Sequence, residues 1–276
     1  MIDFAGALQC VRERGPLVQC ITNFVTVNDC ANIILAAGGS PSMAHDIREV
    51  EEAVGSVQAL VCNMGAIENA DAMVLAGKQA NRLGKPVILD PVAAGGTELR
   101  RDTAKRLLQE VQFSVIRGNA SEIRSLAGEQ ATGSGVDVSA SDAIFEDNLS
   151  DAMGMVKLLA RRTGSVIAVS GKLDIISDGA QTLLLRNGCA TMARITGIGC
   201  MLTSLIGAFC GAMPDNAFAA ACAAMAVMGI CGEAAEKHRL KKGTGNATFR
   251  TDLIDAVFNL TGTQLREAVR YEIYQG

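Results

Sequence analysis

Thr196-Gly197-Ile198-Gly199-Cys200 sets two glycines one residue apart at the head of an uncharged apolar stretch that continues to Met213. The stretch reads as a buried helix, whose first N–H groups lack intrahelical partners and lie at the positive end of its dipole. Gly197 and Gly199 let the main chain approach a ligand closely. Loop and helix start together predict a cradle for an anion, and the chemistry that needs one is phosphoryl transfer. Cys200 closes the cradle with a thiol. A thiol at a helix N-terminus can ionise early and serve as a base, or it can be a small packed residue. Base catalysis contributes about 10²–10⁴-fold, so the larger share is expected from the cradle.

Four apolar runs end at small polar or charged residues, Asn63, Asp90, Arg117 and Ser170 in turn, and together these ends predict a site. Asp90-Pro91 supplies a carboxylate, the type of hard oxygen that Mg²⁺ takes, or an ordinary turn residue. Asn119-Ala-Ser-Glu122 sets an amide and a carboxylate on one helix face. It forms a capping box by its spacing, and that local role leaves Glu122 able to orient water on Mg²⁺. Arg117, wedged before Gly118, suits a nucleotide phosphate or a surface ion pair. Ser170-Gly171 ends a fourth run.

The elements that must hold these groups are short and apolar. Val57–Cys62, Pro86–Leu89, Phe113–Ile116 and Ser165–Val169 are rich in β-branched residues at consecutive positions, as in strands buried on both faces of a parallel sheet. Helical patterns separate them over Asn69–Leu83, Glu98–Glu110 and from about Ser141 to Arg162. This alternation predicts an α/β fold of βαβ units, with ligands bound beyond the carboxyl ends of the strands. From Leu173 to Met192 the texture changes to short antiparallel strands with hairpin turns. Helical patterns then fill Ala217–Leu240, Asn246–Leu260 and Thr261–Tyr271. Gly128–Ala140 reads as a loop, and no linker divides the 276 residues, so one domain is expected.

Composition excludes several classes. With 49% hydrophobic and 20% charged residues the chain is not disordered, and a net charge of −4 argues against nucleic acid as a partner. The basic run Lys237-His238-Arg239 with Lys241-Lys242 fits a solvated helix end. Nine cysteines form no Cys-x-x-Cys pair, and only His45 and His238 accompany them, which disfavours a zinc cluster and points to a reducing cytoplasm. No signal peptide is apparent. Ile195–Met213 and Ala217–Gly232 are apolar, but their glycines, hydroxyls and alanines suit packed interior helices better than membrane spans.

Five segments taken in order resemble hydroxyethylthiazole kinases of the ribokinase-like fold: Pro16–Asn23, Ala31–Pro41 with Met43-Ala44, Val87–Val92, Ile116–Ile123 and Ile195–Thr203. The resemblance implies a three-layer fold and ATP-dependent, Mg²⁺-assisted phosphorylation of the hydroxyl of 4-methyl-5-(2-hydroxyethyl)thiazole in thiamine biosynthesis. It implies ATP contacts at Arg117 and Ser170, and metal contacts at Asp90 and Glu122. The implied thiazole contacts are Asn23, Val27, Met43, Gly65 and Gly197, and Gly197, Gly199 and Cys200 carry the transfer. Locally, Asn23 could instead cap a turn and Met43 fill core. The family is typically a homotrimer with the thiazole between subunits.

Two departures stand out. Gly38-Gly39-Ser40-Pro41 replaces the usual Gly-Ala-Ser-Pro, and Gly243–Phe249 lacks the usual proline and is longer. A hydroxymethylpyrimidine phosphate kinase shares the Gly-x-Gly-Cys ending, but its glycine- and serine-rich N-terminal signature is absent here. A non-catalytic ligand sensor would be expected to lose Gly199, Asp90 or Glu122, and all three are present.

Overall fold

A computed structural model describes residues 2–128, 144 and 146–275. In chain order the elements are α1 (Phe4–Arg14), β1 (Leu17–Ile21), α2 (Val27–Ala37), β2 (Ser40–Ser42), α3 (Val50–Ser56), β3 (Ala59–Asn63), α4 (Ala70–Arg82), β4 (Val87–Asp90), α5 (Glu98–Glu110), β5 (Val115–Asn119), α6 (Ala120–Ala127) and α7 (Leu149–Thr163). They continue with β6 (Val166–Ser170), β7 (Asp174–Ser177), β8 (Gln181–Leu185), α8 (Ile198–Ala212), α9 (Ala217–Lys242), α10 (Asn246–Asn259), α11 (Gly262–Ala268) and β9 (Tyr271–Gln275).

The strands form one sheet in the order β2-β1-β3-β4-β5-β6-β7-β8-β9. Pairing is parallel from β2 through β6 and antiparallel from β6 to β9. Register keeps the carboxyl ends level: Asn63 pairs with Asp90, and Asn119 with Ser170. Side chains of successive residues leave opposite faces. Val18, Val61 and Ile88 therefore meet α1, α2, α8, α9 and α10, while Leu60, Leu89 and Ile116 meet α3 to α7. This is the three-layer α/β arrangement expected from the alternating sequence.

α8 lies close on the sheet because two of its residues lack side chains. A Cβ on Gly207 would stand 2.6 Å from a Val61 methyl, and one on Gly211 would stand 3.1 Å from Pro16 Cβ. α9 is long and apolar enough to cross a membrane by length and composition, yet 83% of its most apolar window is buried inside the protein. Its last turn carries Arg239, Lys241 and Lys242 and stops at left-handed Gly243, as the basic run predicts.

The sequence-derived boundaries need three corrections. The antiparallel stretch stops at Leu185, and residues Ala190–Arg194 form a 3₁₀ turn instead of a strand. The main chain reverses at Gly188 (φ 129°), and Met192 is packed against Gly232 of α9. The C-terminal helical pattern ends at Ala268, after which Tyr271–Gln275 pairs with β8 along its whole length. Of the helix read from Ser141, the described part is Leu149–Thr163, preceded by a 3₁₀ turn. The loop assigned to Gly128–Ala140 lies outside the described residues beyond Gly128 itself.

Candidate active site

Asn63, Asp90 and Ser170 end β3, β4 and β6, Arg117 lies within β5 two residues before its end at Asn119, and Asn23 lies just beyond β1. α8 begins beneath them. Its N-cap is Gly197 at φ 82°, a left-handed conformation that costs an L side chain about 1–2 kcal/mol. Space forbids a side chain as well, since a Cβ there would lie 2.6 Å from Thr26 Cγ2. No side chain caps the helix start, which leaves its first amides available to a ligand.

Arg117 lies against this start. A Cβ on Gly199 would stand 2.5 Å from Arg117 Nη1. The guanidinium is buried, donates from Nη2 to Ser170 Oγ, and places Nη1 3.8 Å from Asp90 Oδ2. Its Nε is buried without a hydrogen-bond partner. A buried donor left unpaired costs about 1–3 kcal/mol, which an anion at the cradle would recover.

Asp90 is fully buried, and among the described residues its side-chain partners fall on Oδ2. Thr203 Oγ1 donates at 2.8 Å and Asn63 Nδ2 at 3.1 Å. Burial raises its pKa, against the opposing pull of Arg117 and Thr203. Glu122 is pushed up to about 7, by burial first and then by the charge of Asp90. Its Oε1 accepts the Ala93 N–H at 2.9 Å and its Oε2 the Asn119 N–H at 2.7 Å. Asn119 Oδ1 returns a bond from Glu122 N, completing the capping box that the sequence spacing predicts. A buried carboxyl that disfavours ionisation of a second buried carboxyl suits a cation nearby. Among the described residues no three His, Cys, Asp or Glu side chains cluster as a ready-made metal cage. The pair therefore fits a hydrated, phosphate-bound Mg²⁺ better than a cage-held ion.

On the acceptor side, Asn23 Oδ1 takes both the main-chain N–H and the hydroxyl of Thr26 at 3.1 Å. This turns Asn23 Nδ2 toward Asn63 Oδ1 and Cys200 Sγ, each at 3.4 Å. The Cys200 thiol is pushed up to about 11, chiefly by burial and then by the Asp90 charge, with bonds from Thr26 and Asn63 opposing. The helix dipole does not win here, so Cys200 is a neutral thiol at neutral pH, contrary to the early-ionising base that its position suggests. Gly65 is close to this group, and a Cβ on it would lie 2.7 Å from both Asn23 Nδ2 and Asn63 Oδ1.

Asn23, Gly65, Asp90, Arg117, Glu122, Ser170, Gly197, Gly199 and Cys200 thus fall in one connected constellation. Val27 and Met43 do not join its hydrogen bonds. Val27 opens α2 half-buried, and Met43 packs partly buried against the core. Asn63, one of the four strand ends, joins the constellation, and the structure adds Thr26, Thr203 and Asp174. The Asp174 carboxyl is raised to about 7 by burial, holds the Gly171 N–H at 2.9 Å, and faces the Arg117 charge. Asn63 is visible in sequence as a strand end. Thr203 and Asp174 give no signal, since one is a hydroxyl within an apolar helix and the other the first residue of an ordinary strand.

The model of the hydroxyethylthiazole kinase family matches residues 8–263. The hydroxyethylthiazole kinase of Clostridium acetobutylicum is 48% identical over 269 residues, 97% of this chain and 98% of that protein. The Thermoanaerobacter pseudethanolicus enzyme of the same name is 48% identical over 92% of this chain and 93% of its own. Among solved structures, hydroxyethylthiazole kinase from Pyrococcus horikoshii OT3 superposes with a TM-score of 0.86 at 34% identity, covering 99% of both chains. A Bacillus subtilis pyridoxal kinase in complex with ADP shares the fold alone, with a TM-score of 0.56 at 16% identity over 77% of this chain and 89% of its own. With a family model spanning nearly the whole chain and relatives matched end to end, the chain belongs to the hydroxyethylthiazole kinase family.

Proposed function

We propose that this chain transfers the γ-phosphoryl group of ATP to the hydroxyl of 4-methyl-5-(2-hydroxyethyl)thiazole, a step of thiamine biosynthesis and salvage. The observation that carries the reading is the uncapped start of α8 at Gly197–Cys200 with the buried Arg117 guanidinium laid on Gly199. Transfer of a phosphoryl group passes through a loose transition state with charge spread over its outer oxygens, so the protein's work is positioning and charge stabilisation. The amides of Ile198, Gly199 and Cys200 receive the migrating group, and Arg117 with Ser170 holds the nucleotide phosphates.

Mg²⁺, when bound, would supply positive charge that offsets the charge of the ATP phosphates. Asp90 meets the ion's side of the site through the oxygen that Thr203 and Asn63 leave uncontacted. Glu122, whose oxygens already accept main-chain N–H groups, orients water around the ion.

On the acceptor side Asn23, Gly65 and Gly197 bind the thiazole alcohol, and its hydroxyl lies beside Cys200. As a neutral thiol, Cys200 donates or accepts a hydrogen bond there, and the hydroxyl proton passes late to an oxygen of the phosphoryl group as the new P–O bond forms and the bond to ADP breaks. Val27 and Met43 line the outer wall. The acceptor site is completed by a neighbouring subunit of a homotrimer, a reading supported by Phe24 and Val25, 86% and 58% exposed directly beside Asn23. Nine free thiols suit a reducing cytoplasm.

The deciding experiment measures ADP release with Mg²⁺, with and without the thiazole alcohol, and with hydroxymethylpyrimidine as the competing acceptor. Thiazole-dependent release is expected. Release with hydroxymethylpyrimidine alone would move the chain to the other substrate, and no release with either would make it a ligand-binding scaffold. Sedimentation of the purified protein tests the trimer.

A further inference from the structure

We infer that Asn63 is a positioning residue that joins the two halves of this site, aligning Asp90 with one end of its amide and Asn23 with the other. The inference rests on the kinase reading above and adds to it a residue on which that reading does not depend.

Asn63 is the last residue of β3 and is 1% exposed. Its Nδ2 donates to Asp90 Oδ2 at 3.1 Å. Its Oδ1 accepts the Gly65 N–H at 2.8 Å and Asn23 Nδ2 at 3.4 Å. A main-chain N–H can only donate, so Oδ1 must face Gly65, and Nδ2 must then face Asp90. Rotating the amide by half a turn would set oxygen against carboxylate and N–H against N–H, so only one orientation is compatible with all three partners. Asn23 is oriented in the same way, because both Thr26 donors fall on its Oδ1. Four side chains therefore run in a fixed sequence, Asp90 to Asn63 to Asn23 to Cys200, from the ion side of the site to the acceptor side. The absence of a side chain at residue 65 is part of this device, since a Cβ there would lie 2.7 Å from both amides.

Asp90 Oδ2 is held by Asn63 from β3 and by Thr203 from α8. Two donors from different elements fix the plane of the carboxylate, and the plane decides where Oδ1 points. Preorganised groups of this kind act without rearranging at the moment of reaction. The two ends of the Asn63 amide serve different substrates, so they are separable by mutation.

Asn63→Asp keeps an acceptor toward Gly65 and Asn23 and loses the donor toward Asp90. It is expected to lower kcat about 100-fold and to change the Mg²⁺ concentration for half-maximal turnover, while KM for the thiazole alcohol stays within about 2-fold. Gly65→Ala drives the two amides apart at the Oδ1 end of Asn63 and strains the Asn63–Asp90 bond only through that end. It is expected to weaken thiazole alcohol binding, measured calorimetrically without ATP, by about 10-fold or more with a smaller change in kcat. The opposite split between the two variants is the signature of a bridge, which general loss of packing would not produce.

Wild-type kcat in Asn63→Asp overturns the inference, as does an equal loss of kcat and thiazole affinity in both variants. Should Asn63→Asp fail to fold, Asn63→Ser decides: a hydroxyl cannot reach both partners, so kcat and thiazole affinity should fall together, and a wild-type value of either overturns the inference. Failure of the kinase reading is distinct, because it appears as absence of thiazole-dependent ADP release in the unmodified protein.

Discussion

Gly199 and Arg117 occupy one space: a Cβ on the glycine would stand 2.5 Å from Nη1 of the arginine. The guanidinium thereby lies on the first turn of α8, and the positive charge of the side chain adds to the positive end of the helix.

Gly199→Ala separates stability from activity. Alanine favours a helix over glycine by about 1 kcal/mol, so the melting temperature should hold or rise slightly. The displaced guanidinium should lower kcat/KM for ATP about 100-fold, equivalent to about 2.7 kcal/mol of transition-state binding. Thermal melts and steady-state kinetics check both halves, and unchanged kcat/KM would remove Arg117 from ATP binding.

Cys200 should leave no mark on the pH profile between pH 7 and 9.5. Its thiol is raised from 9.0 to about 11, so it stays protonated across that interval. Cys200→Ser should lose less than about 10-fold in kcat, below the usual range for removing a general base. A rising limb near pH 8 that disappears in the serine variant would restore a thiolate mechanism.

Alkaline conditions should weaken the fold itself. Burial pushes Cys210 and Cys231 up to about 12 and raises Cys20 and Cys62 also. A group raised in the folded state contributes its full stability below the unfolded value, here 9.0, and loses it as pH climbs toward the folded value. Each such thiol adds a slope of up to about 1.4 kcal/mol per pH unit. Urea denaturation under reductant should give a midpoint that is level to about pH 8.5 and falls above pH 9. A level midpoint to pH 10.5 would mean that these thiols are solvated.

Glu122→Gln offers one acceptor where two main-chain N–H groups need one each. Losing one buried bond costs about 1–3 kcal/mol, and Ala93, held at φ 54°, loses its anchor. Turnover should fall about 100-fold and need roughly 10-fold more Mg²⁺, since about 1.4 kcal/mol corresponds to each tenfold change. ADP release measured against Mg²⁺ concentration tests this, and an unaltered Mg²⁺ dependence would confine Glu122 to capping α6.

Much of this arrangement was legible in the residues. β3 to β6 announce themselves because strands buried on both faces are apolar at every step, and the anion cradle because glycines before a buried helix have few other uses. The first fifty-six residues were less clear. Gln19 interrupts the apolar run of β1, and β2 is a three-residue edge strand containing Pro41. β9 alternates between half-buried and exposed positions, and Glu272 pairs outward with Arg186, so its signal is too thin to separate from a fraying helix. Within the site, Asp90 and Arg117 could be found because charges after apolar runs are conspicuous, and Glu122 through its capping-box spacing from Asn119. Thr203 could not, since nothing in an apolar helix tells which hydroxyl turns toward a carboxylate 113 residues away.

The seating of α8 has a bearing on how such a site could change its acceptor. With Val61 against Gly207 and Pro16 against Gly211, the rod that presents the amides cannot slide or tilt without colliding with β-sheet atoms. One wall is therefore a fixed anvil. Adaptation to a larger or smaller alcohol must come from the opposite wall, the turn from Asn23 to Thr26, whose exposed Phe24 and Val25 have room to vary while the anvil stays in place.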